Sequence, residues 1–186
     1  MDKETEIIIN QLRERSAKLY WTYVIQYSQA EVNHYWHKGL TIAALILSAL
    51  VASAAFINVL EECGISKQIV NIIIFGLGIA STVLLSFLTK YNYEKRISSN
   101  IEYGTKIRHI WMKYQSLITD IKSGLYSSYS EICEQRNKLR DEEYEVLKDA
   151  PLTLQRAVQK ATNKIKNGHG DINEDEINAG NELQNL

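Results

Sequence analysis

Charge is missing from two long stretches of this chain: no ionisable residue occurs from Gly39 to Leu60 or from Gln68 to Thr89, although charged residues make up 23% of the whole. Each stretch is 22 residues long. At about 1.5 Å of rise per residue, a helix of that length spans roughly 33 Å, enough to cross a hydrocarbon core of about 30 Å. Neither stretch has a polar face beyond scattered Ser, Thr and Asn, which argues against the core helix of a soluble domain. A cleaved export signal is not expected either, because the first apolar run starts only after 38 residues that hold ten charges, and a second run follows at once.

Cysteine and proline are also scarce. Cys63 falls in the connection between the two apolar runs and Cys133 far beyond the second, so a membrane would separate them and no disulfide is expected. Neither has metal-ligand spacing. The single proline is Pro151, and from Asp2 to Lys38 there is neither proline nor glycine. Within that helix-compatible segment Ile8, Leu12, Leu19, Tyr23, Tyr27 and Ala30 recur at helical spacing, which predicts an amphipathic helix over 1–38 that lies on the lipid surface or packs on other helices.

The expected fold is all-α: an integral membrane hairpin of two transmembrane helices, 39–60 and 68–89, following that N-terminal helix. The connection 61–67 has one basic residue, Lys67, whereas Lys38, Lys90, Lys95 and Arg96 flank the other ends, so both termini are expected in the cytoplasm. Gly64 is available for the turn, and Tyr35, Trp36, Tyr91 and Tyr93 fall where an interfacial aromatic belt belongs.

Past the second span the pattern continues through Tyr93, Ile97, Gly104, Ile107, Trp111, Tyr114, Ile118 and Ile121, which predicts one long helix running from the membrane into the cytoplasm. Gly104 on that seam suits the close approach of another helix. After Ser123-Gly124 and Ser127-Ser128, the heptad Leu125, Ile132, Leu139, Val146 predicts a returning helix in a coiled-coil-like hairpin. Trp111, Ile118, Ile132 and Leu139 are the candidate packing residues with Gly104. Pro151 ends the returning helix and can start another, with Leu154, Val158, Ala161 and Ile165 on one face. The region 90–166 holds 15 basic and 10 acidic residues, and 167–186 holds five acidic and no basic ones, the composition of a disordered tail.

Signatures of catalysis are lacking: there is no phosphate-cradling glycine loop, no Gly-x-Ser-x-Gly elbow, no His-Glu-x-x-His and no Cys-x-x-Cys pair. No enzyme activity, cofactor, metal site or nucleic-acid partner is expected, and no ligand-binding residue can be named. His34 and His37 lie three apart, which would suit a metal or a pH response, but beside Tyr35 and Trp36 they read as interfacial residues. His109 reads as a surface histidine. The order Asp171, Asn173, Asp175, Glu182 resembles a calcium loop, but Glu176 stands where the turn glycine belongs, and the match is taken as chance.

Small residues stripe both apolar runs: Ala44, Ser48 and Ala52 in the first, Gly76 with Ala80, and Gly78 with Thr82 and Ser86, in the second. In lipid such residues let helices approach closely. They cover more than one face, so homo-oligomerisation is expected, with Asn71, Thr82 and Ser86 as candidates to face a shared axis. The lack of any charge in the spans argues against a permanently open, selective ion path and leaves a gated pore with an apolar constriction.

An aromatic N-terminal helix with Tyr20-Trp21 running into Glu31-Val-Asn-His-Tyr-Trp-His-Lys38, two closely spaced spans and a long amphipathic helical hairpin together resemble the SLATT family of bacterial two-span effectors, over roughly residues 7 to 166. The resemblance implies an inner-membrane effector of an anti-phage system that oligomerises and breaches the membrane, in abortive infection, when a nucleotide signal is present. It implies as partners the lipid bilayer, a nucleotide-signal synthase or sensor, or the nucleotide itself. A non-conducting scaffold that docks a soluble partner is the competing expectation.

Overall fold

The computed structural model describes residues 3–167, so the acidic tail and its calcium-like spacing lie outside the described residues. Among the described residues there are six α-helices and no strand: α1 (Lys3–Ala52), α2 (Ala54–Glu62), α3 (Lys67–Tyr91), α4 (Tyr93–Lys122), α5 (Tyr129–Leu147) and α6 (Gln155–Lys166). They group into two compact units, Met1–Val32 with Ser98–Leu186, and Asn33–Ile97.

The first unit is a packed helical body. Ile8, Leu12 and Leu19 of α1, Ile107, Tyr114 and Ile118 of α4, and Ile132 and Leu139 of α5 join one core. Burying each such aliphatic side chain contributes about 1.5–3 kcal/mol relative to leaving it in water. The amphipathic part of α1 is therefore a packing helix. It runs antiparallel to α4, with Tyr27 bonded to Thr105 at 2.9 Å and Gln115 to Ser16 at 2.8 Å.

Gly104 lies where the two helices approach closely. A Cβ there would meet Gln26 Cβ at 3.4 Å, Tyr27 Cε2 at 3.5 Å and the Tyr23 carbonyl oxygen at 3.6 Å. Next along the groove, Trp111 lies 5.7 Å from both Tyr20 and Tyr23, ring centre to ring centre. Helix α5 starts at a reciprocal cap: Glu131 N–H donates to Ser128 Oγ, and Ser127 N–H donates to the Glu131 carboxylate.

Three details differ from the pattern read in the sequence. Leu125 does not extend the heptad; it lies in the α4–α5 turn, 67% exposed, because Gly124 at φ 75° turns the chain and no helix exists there to hold the register. Helix α6 starts at Gln155, four residues past Pro151, since an extended Leu154 precedes it. Its buried face is Ala157, Ala161 and Ile165, one turn apart, while Leu154 and Val158 are exposed. The helix is held onto α1 by Gln29, whose side-chain oxygen accepts from Leu154 N–H at 2.7 Å, and by Glu31, paired to Lys160 at 2.7 Å and Lys164 at 2.5 Å.

In the second unit, the later part of α1 with α2 and α3 forms the hairpin. The first apolar stretch is not one uninterrupted helix. It breaks at Ser53, whose N–H reaches back three residues to Leu50 at 3.3 Å and whose hydroxyl accepts from Phe56 N–H at 3.3 Å, so the side chain caps a new helix. Gly64, at φ 80°, supplies the left-handed turn before α3.

The expected continuous helix beyond the second span is also interrupted. Asn92 adopts φ 47°, a left-handed conformation that Asn tolerates better than most residues, and so separates α3 from α4. The junction is hydrogen-bonded on both sides. Asn92 N–H donates to Leu88 O at 3.3 Å, and its side-chain oxygen accepts from Lys95 N–H at 3.3 Å, capping α4.

Candidate functional site

The hairpin presents an apolar surface that is left open among the described residues. Ile46, Ile72, Phe75, Ile79 and Val83 are each at least half exposed, and only 6% of the most apolar window in α3 is buried. A soluble protein would leave such a surface to aggregate, whereas lipid is its natural solvent. The two apolar helices and their lack of cover make this a membrane protein.

Within the hairpin, Ala44, Val70 and Ser81 are buried, and Leu77, Leu84 and Leu88 are half-buried at intervals that define one face of α3. Ser48 and Ser81 hydroxyls meet at 2.8 Å across the two helices. A hydrogen bond of this kind in a membrane protein contributes about 0.6 kcal/mol. Sequence reasoning passed over Ser81, although its position on the Val70, Leu77, Leu84 face would have found it.

The other small residues do not seat the hairpin. Ala52, Gly76 and Ala80 are exposed, and a Cβ added at Gly76 or Gly78 would meet nothing within 4 Å. Asn71, Thr82 and Ser86 are exposed as well. Thr82, Ser86 and Thr89 each donate to the carbonyl one turn back, at 2.9, 2.8 and 2.9 Å, so their hydroxyls are satisfied without water.

Aromatic rings gather at one end of this unit. Tyr91 and Tyr93 lie 4.4 Å apart, His37 stacks on Tyr93 at 5.8 Å, and the Arg96 guanidinium sits 4.1 Å above the Tyr91 ring. Such amphipathic rings with a nearby cation are the usual furniture of a headgroup region. Tyr35 and Trp36 are exposed, His34 is exposed, and His37 is spoken for by its stacking.

The other unit contains a polar constellation that sequence reasoning missed. Glu143 is 1% exposed, and Arg15 Nε approaches its two oxygens at 2.8 and 3.1 Å. Tyr114 O–H donates to the same carboxylate at 2.7 Å, tying α1, α4 and α5 at one point. Burial, then the bond to Glu143, push the Tyr114 phenol well above its ordinary range, so it remains a donor. The bond to Glu143 likewise raises the Arg15 guanidinium, which remains charged. Removing one partner of such a group strands the other.

The remaining candidates at these helices fall together: Gly104, Trp111 and Ile118 on the inward side of α4, and Ile132 and Leu139 on that of α5.

Residues 8–176 match the SMODS and SLOG-associating 2TM effector domain family 4. The chain belongs to that family. Its two helices long and apolar enough to cross a membrane fit the two transmembrane segments in that family description, and the protein is a membrane effector of the SLATT type, a family associated with SMODS and SLOG nucleotide-signalling systems. No curated protein and no solved structure matches the chain.

Proposed function

We propose that this SLATT protein is a non-enzymatic effector that oligomerises in a bacterial inner membrane and opens a gated pore, or otherwise disrupts the bilayer, when a nucleotide-linked signal acts on its polar helical unit. The observation that carries this reading is the unused small-residue surface of α3: Gly76, Gly78 and Ala80 are not consumed by the hairpin and offer a neighbouring copy the close approach that drives helix association in lipid. The distribution of Lys38, Lys90, Lys95 and Arg96 against Lys67 supports cytoplasmic termini, which puts the polar unit on the side where such a signal arises.

The test uses the full chain in liposomes loaded with a self-quenched dye and, in parallel, cells reporting membrane potential on induction. Leakage and depolarisation under activating conditions are expected, with Gly76→Leu combined with Gly78→Leu abolishing both and reducing chemical cross-linking to monomer. An intact potential with correctly inserted, activated protein overturns the pore.

A second reading, a non-conducting scaffold that anchors a soluble partner, is favoured by one observation: the hydroxyls of Thr82 and Ser86 bond to their own helix and need no aqueous lumen. Thr82→Leu with Ser86→Leu separates the two. A pore loses conduction while its cross-linked oligomer persists, and a scaffold is indifferent.

A further inference from the structure

Between the start of α1 and the middle of α5, in the polar unit, lies a cavity of about 290 Å³ lined by Gln11, Leu12, Arg15, Tyr114, Arg136 and Arg140. Three of the six are arginines and none is a carboxylate. Gln11 and Arg15 stand one turn apart on α1, and Arg136 and Arg140 one turn apart on α5, so the four polar side chains frame the opening from two helices.

The charge in this frame is poorly compensated. Glu143 engages Arg15 through Nε, and no hydrogen bond from the terminal amino groups of that guanidinium is seen among the described residues. Arg136 bonds only neutral amides, Gln11 Oε1 at 3.5 Å and Asn137 Oδ1 at 3.2 Å. Arg140 has no ion pair among the described residues, although Glu142 is close in sequence; Glu142 pairs instead with Lys113 at 2.6 Å.

Elsewhere in the same unit the pattern is the reverse: Lys106, Lys113, Lys138 and Lys148 each face a carboxylate. Like charges one helical turn apart repel, so a solvated helix face has no reason to collect three guanidiniums around a concavity.

We propose that this cavity binds a phosphate-bearing ligand. Guanidinium forks match phosphate oxygens in pairs, which an ammonium does not do. Arg15 is pre-positioned by buried Glu143, so one wall of the site is rigid before the ligand arrives. The volume lies at the small end of the roughly 300–1,000 Å³ range of ligand pockets. It accommodates a phosphate or diphosphate head with the remainder of the molecule outside. A bound phosphate would bridge α1 to α5 and shift the balance of their packing. The inference deepens the proposed function by giving the signal a chemical class and a place, and binding is measurable whether or not the hairpin conducts.

Free nucleotide phosphates and phospholipid headgroups share this chemistry, and two arms of one experiment separate them. In the first, the full chain in neutral detergent at low salt is titrated calorimetrically with pyrophosphate and with ATP. In the second, its thermal midpoint is compared in nanodiscs of phosphatidylcholine with and without phosphatidylglycerol. The variant is Arg136→Ala with Arg140→Ala, both outside the core; unchanged circular dichroism and an unchanged midpoint in phosphatidylcholine confirm folding. Arg136→Lys with Arg140→Lys keeps the charge but removes the forks.

Saturable binding of pyrophosphate or ATP that weakens by about tenfold or more in the alanine variant, and by less in the lysine variant, supports a free phosphate ligand. Absence of soluble binding together with a phosphatidylglycerol-dependent rise in midpoint that the alanine variant loses supports a lipid phosphate. If neither response depends on Arg136 and Arg140, the proposal is overturned.

Discussion

Ile107 in α4 and Ile72 in α3 are the same side chain on two helices that follow one another in the chain, yet the first is fully buried and the second is 69% exposed. Around Ile107 the protein supplies its own apolar interior and a charged outer surface. Around Ile72 it supplies neither, since α3 carries no charge between Gln68 and Thr89 and its outer side chains are exposed among the described residues. The contrast shows that one unit is finished by folding while the other is finished by its surroundings. Amphipathic helices with a polar face close on themselves; helices apolar all round need lipid or a copy of themselves to complete their packing.

Truncating the two isoleucines gives the sharpest test of that contrast. Ile107→Ala is expected to lower the stability of the polar unit by about 3 kcal/mol, from lost burial plus the cavity it leaves. Ile72→Ala should move it by less than about 0.5 kcal/mol. Denaturant melts of the reconstituted protein, followed by tryptophan fluorescence from Trp111, measure both, and equal effects would erase the distinction.

Introducing a charge comes next. Val83→Asp is expected to cost about 2.5 kcal/mol or more of membrane insertion, visible as loss from the membrane fraction. Met112→Asp, at an exposed site on α4, should leave fractionation unchanged and cost within about 0.5 kcal/mol of stability.

The smallest effect concerns the docking of α6. Burial pushes the Glu31 carboxyl up, but its bonds to Lys160 and Lys164 outweigh this and hold it below the ordinary range. A carboxylate depressed in the folded state contributes stability that is full above its unfolded pKa and is lost as pH falls through the folded value. Protection of α6 amides from hydrogen exchange should therefore weaken as pH drops through and below the ordinary carboxylate range. Glu31→Gln should remove that dependence at a cost under about 1 kcal/mol, because the pair is nearly half exposed.

Much of the candidate site was legible where a period was long and unbroken. Ile107, Tyr114, Ile118 and Ile121 were found because helical spacing alone decides which side of α4 meets the core. Leu125 misled because its spacing carried a heptad into a turn, and Leu154 because its spacing carried a helix face back past the start of α6; spacing has no means of sensing where a helix begins or stops. Ser53 and Asn92 interrupt apolar or helical runs through local bonds of a hydroxyl and an amide, which propensity ranks only weakly. Glu143 stands among Asp141, Glu142 and Glu145, and nothing in that acidic run sets it apart. Its partner Arg15 is 128 residues away, and only folding brings them together.

The sequence by itself determined that this is an all-helical membrane hairpin joined to an amphipathic helical body, because charge cannot be hidden in hydrocarbon and apolar period follows helix geometry. The tertiary structure decided which small residues seat the hairpin and which stay open. It also decided that an ion pair and three arginines meet between α1 and α5, since convergence of residues from separate helices depends on packing that no single segment encodes.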